Sequence, residues 1–256
     1  MSAALPIHRS LAHEAHLFEA ATRGPSQRTI VFDLDGTLVD TAPDLAGSLN
    51  HCLSRIGLPP LPLEIVRPHA GHGAQAMLRE AYRLAERPLG AEELAEQTAC
   101  FLQHYEAHIA VESALFPGGL AMLDRLSEAG LTLAICTNKT ERLARRLLEE
   151  MELASRFSTI CGADTFSARK PDPIHLFGTI EQAGGSASNA LMVGDTNTDI
   201  LAARAAGVPS ILVLFGYDPG SEARSGATCS IERFSDLTPH LIDSLFEPRA
   251  LRVQAV

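Results

Sequence analysis

Short apolar runs alternate with stretches of helical spacing along the second half of the chain. The runs are residues 131–136, 157–161, 190–193 and 210–214, and an earlier one, Thr29-Ile30-Val31-Phe32, stands apart near the start. Segments 119–128, 140–151, 174–183 and 198–206 lie between or before them and carry apolar residues three and four apart. Runs that are apolar on both faces, each followed by a helix, predict a doubly wound, Rossmann-like parallel sheet covered on each side. Leu143, Leu147, Leu148 and Met151 fall on one helical stripe, and Gly130 and Gly207 sit where helices are expected to stop.

The stretch from Thr41 to Phe116 has a different texture. Leu45, Leu49, Cys52, Leu53 and Ile56 share one helical face, Leu94, Phe101, Leu102, Tyr105 and Ile109 share another, and no strand-like run separates them. The pattern divides the chain into a core of residues 28–40 and 117–256, interrupted by an all-helical cap at 41–116. A helical insertion that opens at the end of the first strand is placed to act as a lid. Residues 1–27 form an N-terminal extension with some helical spacing around Leu11 to Ala21, no assignable role, and a polar content compatible with disorder.

Composition narrows the class. A hydrophobic fraction of 46% and a charged fraction of 20% belong to a globular chain, and 256 residues suffice for a large core. A formal net charge of -10 argues against a nucleic-acid partner, so an anionic ligand must be held by local cations. The five cysteines are scattered without a C-x-x-C pair, which fits reduced thiols in the cytoplasm. No apolar stretch is long enough to span a membrane. Oligomeric state leaves no mark.

The candidate chemistry lies where strands end. Asp33-Leu34-Asp35-Gly36-Thr37 follows the first run; Thr137-Asn138-Lys139 follows the second; Arg169-Lys170-Pro171-Asp172-Pro173 precedes a helix; and Gly194-Asp195-Thr196-Asn197-Thr198-Asp199 follows the run at 190–193. Ligands of doubly wound sheets bind beyond the carboxyl ends of the strands, so these segments are expected to converge. As chemistry they describe phosphoryl transfer. Asp33 is the candidate nucleophile and Asp35 the acid and base. Mg2+ suits an oxygen-only donor set of the Asp33 and Asp195 carboxylates and the Asp35 carbonyl. Thr137, the Asn138 N–H and Lys170 are expected to bind phosphate, with Asp199 orienting Lys170 or a metal-bound water. Only two lysines, Lys139 and Lys170, stand against nineteen arginines, and both fall inside these segments.

Taken in order, Asp33-x-Asp35-Gly36-Thr37, Thr137-Asn138, Lys170-Pro171 and Gly194-Asp195-x-x-x-Asp199 resemble the haloacid dehalogenase superfamily of phosphohydrolases, from about Arg28 to Leu245. The insertion resembles that superfamily's first class of helical cap. Its dehalogenases lack the second aspartate, so Asp35 favours a phosphatase or phosphomutase. Val66-Arg67-Pro68-His69-Ala70-Gly71-His72-Gly73, Cys136-Thr137-Asn138-Lys139 and Phe215-Gly216-Tyr217 are similar to segments of the phosphoglycolate phosphatases. The resemblance implies hydrolysis of 2-phosphoglycolate to glycolate and phosphate, with N-acetylmuramic acid 6-phosphate and other sugar phosphates as alternative substrates of closely similar enzymes. Further alternatives are a phosphomutase and a catalytically silent binding protein on the same fold.

Other patterns carry less. Gly71-His72-Gly73-Ala74-Gln75-Ala76 imitates a dinucleotide fingerprint but follows no buried strand, so it is expected to be a turn between cap helices. No phosphate-binding G-x-x-x-x-G-K-[ST] loop occurs. The cap histidines lack metal-ligand spacing. Within the cap, Gly71, His72 and Gly73 are possible substrate contacts, Arg67 is a possible clamp for a second anionic group, and Lys139 joins them from the core side.

Overall fold

The structure is a computed structural model that describes residues 27–246, so the expectation of a disordered extension falls almost wholly outside the described residues. Six strands form one parallel sheet: β1 (Thr29–Phe32), β4 (Thr132–Cys136), β5 (Thr159–Cys161), β6 (Ala190–Gly194), β7 (Ser210–Val213) and β8 (Cys229–Ile231). Their spatial order is β5-β4-β1-β6-β7-β8. The early run, β1, is fully buried near the middle of the sheet, with Ile30, Val31 and Phe32 supplying apolar side chains to both faces.

Alternation along each strand builds two cores. Ile30 and Phe32 join Leu133, Ile135, Leu191 and Val193 beneath α5 (Gly119–Glu128), α6 (Glu141–Glu150) and α10 (Pro239–Phe246). Val31 joins Ala134, Met192, Leu176 and Ile180 on the opposite face, which is covered by α7 (Pro173–Gln182) and α8 (Asn197–Ala205), while α9 (Ser221–Gly226) packs on Leu212. The doubly wound α/β fold expected from the sequence is therefore present. Gly130 and Gly207, with φ of 76° and 66°, stop α5 and α8 in the left-handed conformation that favours glycine.

Four helices leave the sheet after β1: α1 (Ala42–Arg55), α2 (Leu63–Ala70), α3 (Ala74–Leu84) and α4 (Ala91–Ala107). Leu45, Leu49, Cys52 and Leu53 are buried on α1 as their spacing requires, and Leu94, Phe101 and Tyr105 on α4. Leu102 departs from the expected face and is 41% exposed. The insertion is also not purely helical. Two short strands, β2 (Val39–Asp40) and β3 (Ala114–Leu115), pair antiparallel where the chain leaves and re-enters the core. They are too short to leave a period in the sequence. The Asp44 carboxylate adds a second tie, accepting from the Glu112 and Ser113 N–H groups and from the Ser113 hydroxyl.

Register decides where the loops go. Phe32 lies level with both Ile135 of β4 and Val193 of β6, so the three strands end side by side. Sheet order also reverses across β1, which opens a crevice at that end. Among the described residues, no helix is long and apolar enough to cross a membrane.

Candidate active site

The loop after β1 turns sharply. Leu38 and Val39 both donate backbone hydrogen bonds of 3.0 Å to the Leu34 carbonyl, and Asp33 donates one of 2.9 Å to Val193. Gly36 adopts φ of 81°, and a Cβ there would stand 2.4 Å from Asp195 Oδ2 and 2.7 Å from the Tyr217 ring. Glycine is thus required twice, by conformation and by the approach of the fourth segment.

Asp33, Thr137, Lys170, Asp195 and Asp199 are all buried at this end of the sheet. Lys170 Nζ lies 2.9 Å from Asp33 Oδ1 and 2.6 Å from Asp199 Oδ1. Burial works against the Lys170 charge, but Asp199 and Asp33 outweigh it and raise its pKa. Asp199 Oδ2 accepts from the Thr196 N–H and hydroxyl, a capping box that starts α8 and aims the other oxygen at Lys170. The lysine backbone is fixed as well: its carbonyl accepts from Asn138 Nδ2 at 2.9 Å and its N–H donates to His175 Nδ1 at 3.2 Å. Burial, aided by the Lys170 charge, lowers the His175 pKa to about 4, so the ring stays neutral and able to accept.

Asp195 is held by the Thr37 hydroxyl at 2.9 Å and the Tyr217 N–H at 2.8 Å. Asp33, Asp195 and Asp199 each bring one carboxylate oxygen within 4.8 Å of the others. Burial pushes the Asp33 carboxyl up to about 7, with Asp199 adding to the rise and Lys170 opposing it. Burial likewise raises Asp195 well above its ordinary range, and Asp199 and Asp33 push in the same direction. Four carboxylates here, counting Asp35, face two ammonium groups. The excess negative charge and the oxygen-only donors fit one hard divalent cation, which would hold Asp33 and Asp195 in their ionised forms.

Asp35 is placed differently. Its carboxylate takes Lys139 Nζ at 2.8 and 3.0 Å and the Thr41 hydroxyl at 2.6 Å, and it lies outside the group of three aspartates. Lys139 also sits 4.7 Å above the Tyr105 ring of α4. Thr137 Oγ1 accepts from the Lys139 N–H at 3.2 Å, at the threshold of α6.

These groups open on a cavity of about 420 Å³. Asp33, Asp35, Thr137, Asn138, Lys139, Arg169 and Lys170 line its sheet side; Gly71, His72 and Gly73, in the turn between α2 and α3, line the other with Phe101, Leu102 and Tyr105 of α4. Arg67 is not among the lining residues. Its guanidinium donates to both oxygens of Asp40 at 2.8 Å. Tyr217 completes that junction: its hydroxyl accepts from the Thr41 and Ala42 N–H groups at 2.7 and 2.8 Å and donates to Asp40 at 3.0 Å. Sequence reasoning attached no role to Tyr217, Asp40, Thr41, His175 or Tyr105. Tyr217 had the nearest signal, since it closes Phe215-Gly216-Tyr217, one of the three segments that carry the resemblance.

Residues 30–213 match the family model described as Haloacid dehalogenase-like hydrolase. A curated phosphoglycolate phosphatase of Agrobacterium fabrum is 46% identical over 224 residues, which cover 88% of this chain and 96% of that protein. One from Caulobacter vibrioides is also 46% identical, over 82% of this chain and 88% of its own length. Among solved structures, a predicted phosphoglycolate phosphatase from Haemophilus somnus superposes with a TM-score of 0.75 at 30% identity, covering 83% of this chain and 97% of that one.

Proposed function

The chain belongs to the haloacid dehalogenase-like hydrolases, and from that membership and the site's geometry we propose that it is a Mg2+-dependent phosphatase that hydrolyses 2-phosphoglycolate to glycolate and phosphate. The observation that carries the chemistry is Asp33, a buried carboxylate facing a cavity with Lys170 at 2.9 Å and Asp195 and Asp199 close behind. The substrate assignment is supported by relatives of that name at 46% identity over most of their length.

Asp33 attacks phosphorus in line and becomes an aspartyl phosphate as the ester oxygen departs. Asp35 delivers a proton to that oxygen and then takes one from the water that cleaves the intermediate. Lys139 and Thr41 orient the Asp35 carboxylate for both steps. Thr137, the Asn138 N–H and Lys170 receive the phosphoryl oxygens, while Asp199 fixes Lys170. Asp33, Asp195 and the Asp35 carbonyl would hold Mg2+, whose charge, when bound, offsets the repulsion between nucleophile and phosphate. Residues 41–116 serve as a lid over residues 28–40 and the remainder of the core, with Gly71, His72 and Gly73 reaching substrate from above.

A phosphate-release screen with Mg2+ tests the assignment. 2-Phosphoglycolate is expected to give the highest kcat/KM among a set including N-acetylmuramic acid 6-phosphate, hexose phosphates and pyrophosphate. Preference for the muramic ester replaces the substrate but keeps the chemistry. Sugar phosphate isomerisation without net phosphate release removes the hydrolase assignment.

A further inference from the structure

One polar group in the cavity has no part in the chemistry above. Tyr105 of α4 is 1% exposed and lines the cavity, yet its hydroxyl finds no acceptor for its proton, the neighbouring Lys139 ammonium being itself a donor. A buried O–H without an acceptor is costly, and such groups in folded proteins call for an explanation. Among the described residues lining the cavity, only Asn138 shares this condition, and its orphan is Oδ1, an acceptor. Tyr105 is therefore the unsatisfied donor.

Its surroundings narrow what the donor awaits. Leu45, Phe101, Leu102 and Leu143 line the same cavity and offer nothing to a polar ligand. The Lys139 ammonium lies 4.7 Å from the ring centroid and carries the positive charge beside it. A hydroxyl donor next to a cation against an apolar wall suits a small anionic acceptor, and it penalises a neutral tail, which would leave both groups unanswered. Burial pushes the hydroxyl pKa up to about 12, so the group remains a donor at neutral pH.

We propose that Tyr105 is a specificity-determining residue whose hydroxyl, together with Lys139, binds the carboxylate of a phospho-hydroxy acid while the phosphoryl end lies against Asp33 and Lys170. The inference rests on the 2-phosphoglycolate assignment and deepens it. Lys139 then shares its charge between Asp35 and the substrate carboxylate.

The test is Tyr105→Phe in the full chain, assayed with Mg2+ on 2-phosphoglycolate and on phenyl phosphate, whose tail is neutral. Because the hydroxyl has no protein acceptor, the variant is expected to melt at or above the parent temperature. Its kcat/KM for 2-phosphoglycolate should fall about ten- to hundredfold, as for loss of a hydrogen bond to a charged group, and for phenyl phosphate less than about twofold. Equal losses on both esters mark a structural role and overturn the inference, as does unchanged turnover of 2-phosphoglycolate. A parent enzyme that prefers 2-phosphoglycolate beside a variant with the same preference removes this inference alone. A parent without that preference removes the substrate assignment, and the inference falls with it.

Discussion

The Lys170 ammonium stands between the carboxylates of Asp33 and Asp199, 2.9 Å from the first and 2.6 Å from the second, on a residue that is 2% exposed. One cation thus neutralises the candidate nucleophile on one side and is itself fixed on the other. Replacing it with an apolar side chain of similar length leaves two buried acids facing each other. Lys170→Met is expected to abolish turnover and to cost about 3 kcal/mol of stability, read from denaturant unfolding in chelator. Lys170→Arg should fail as a catalyst too, because a planar fork does not fit the place of a point charge. Wild-type activity in either variant would falsify the role given to the ammonium.

Asp33 is costly to the fold as it stands. Burial raises its pKa to about 7, which means that the ionised form is penalised where it sits. Asp33→Asn removes that penalty along with the nucleophile. We expect no measurable turnover of any phosphate ester, and a melting temperature in chelator equal to or above the parent's at pH 8. An active Asn variant excludes covalent catalysis by Asp33.

The same raised carboxyl sets a pH dependence. With a folded pKa near 7 against an ordinary 3.8, Asp33 takes up a proton on folding in the interval between. Its contribution to stability is complete below the unfolded pKa and disappears as pH rises through about 7. Asp195, also raised, acts in the same direction. A divalent cation favours the ionised forms and competes with these protons. The rise in melting temperature on adding Mg2+ should therefore be larger at pH 8 than at pH 6, a comparison that scanning calorimetry makes directly. Equal shifts at the two pH values would separate the ion from these aspartates.

Gly36 has no room for a side chain. A methyl group would enter the space of Asp195 Oδ2 and the Tyr217 ring, at a backbone φ of 81°. Gly36→Ala is expected to lose about 1–3 kcal/mol of stability and to raise the Mg2+ concentration needed for half-maximal activity, because Asp195 is the group displaced. A variant with parental metal dependence would show that the loop yields elsewhere.

Much of this architecture is legible in the amino-acid sequence. The alternating apolar runs gave away the layered sheet, because a strand buried on both faces must carry apolar residues on both, as Ile30, Val31 and Phe32 of β1 do. Three of the four motif segments follow the ends of such strands, while Arg169-Lys170-Pro171-Asp172-Pro173 leads into α7, as the sequence pattern implies. What no local pattern holds is register: Asp33 meets Asp195 because Phe32 is level with Val193, a fact of pairing between residues far apart in the chain. The two-residue strands β2 and β3 are too brief for periodicity. Arg67 was a plausible anion clamp by type, but it donates to Asp40. A guanidinium does not reveal in sequence which carboxylate it will meet. Tyr105 looked like a core residue of α4, and its burial agrees; only the unpaired hydroxyl in a cavity sets it apart.

Tyr217 joins the site to the base of the helical insertion, and its two ends are separable. The backbone N–H binds Asp195 at 2.8 Å, whereas the hydroxyl accepts from the Thr41 and Ala42 N–H groups, which lead into α1, and donates to Asp40, the partner of Arg67. Tyr217→Phe keeps the first contact and deletes the second set. The buried Thr41 N–H then loses its acceptor and the Ala42 N–H keeps only a longer bond of 3.3 Å to Asp40 Oδ1, for which a cost of about 1–3 kcal/mol is expected. The functional effect should follow the hinge rather than the metal. Thr41 also holds Asp35, so a looser entry to α1 should disturb both the proposed lid and the proposed acid, and kcat should fall several-fold while the Mg2+ concentration for half-maximal activity stays within about twofold. Steady-state kinetics at varied Mg2+ distinguish the outcomes. A variant whose kcat is intact but whose metal requirement has risen would mean that the Tyr217 side chain supports Asp195 and not the hinge.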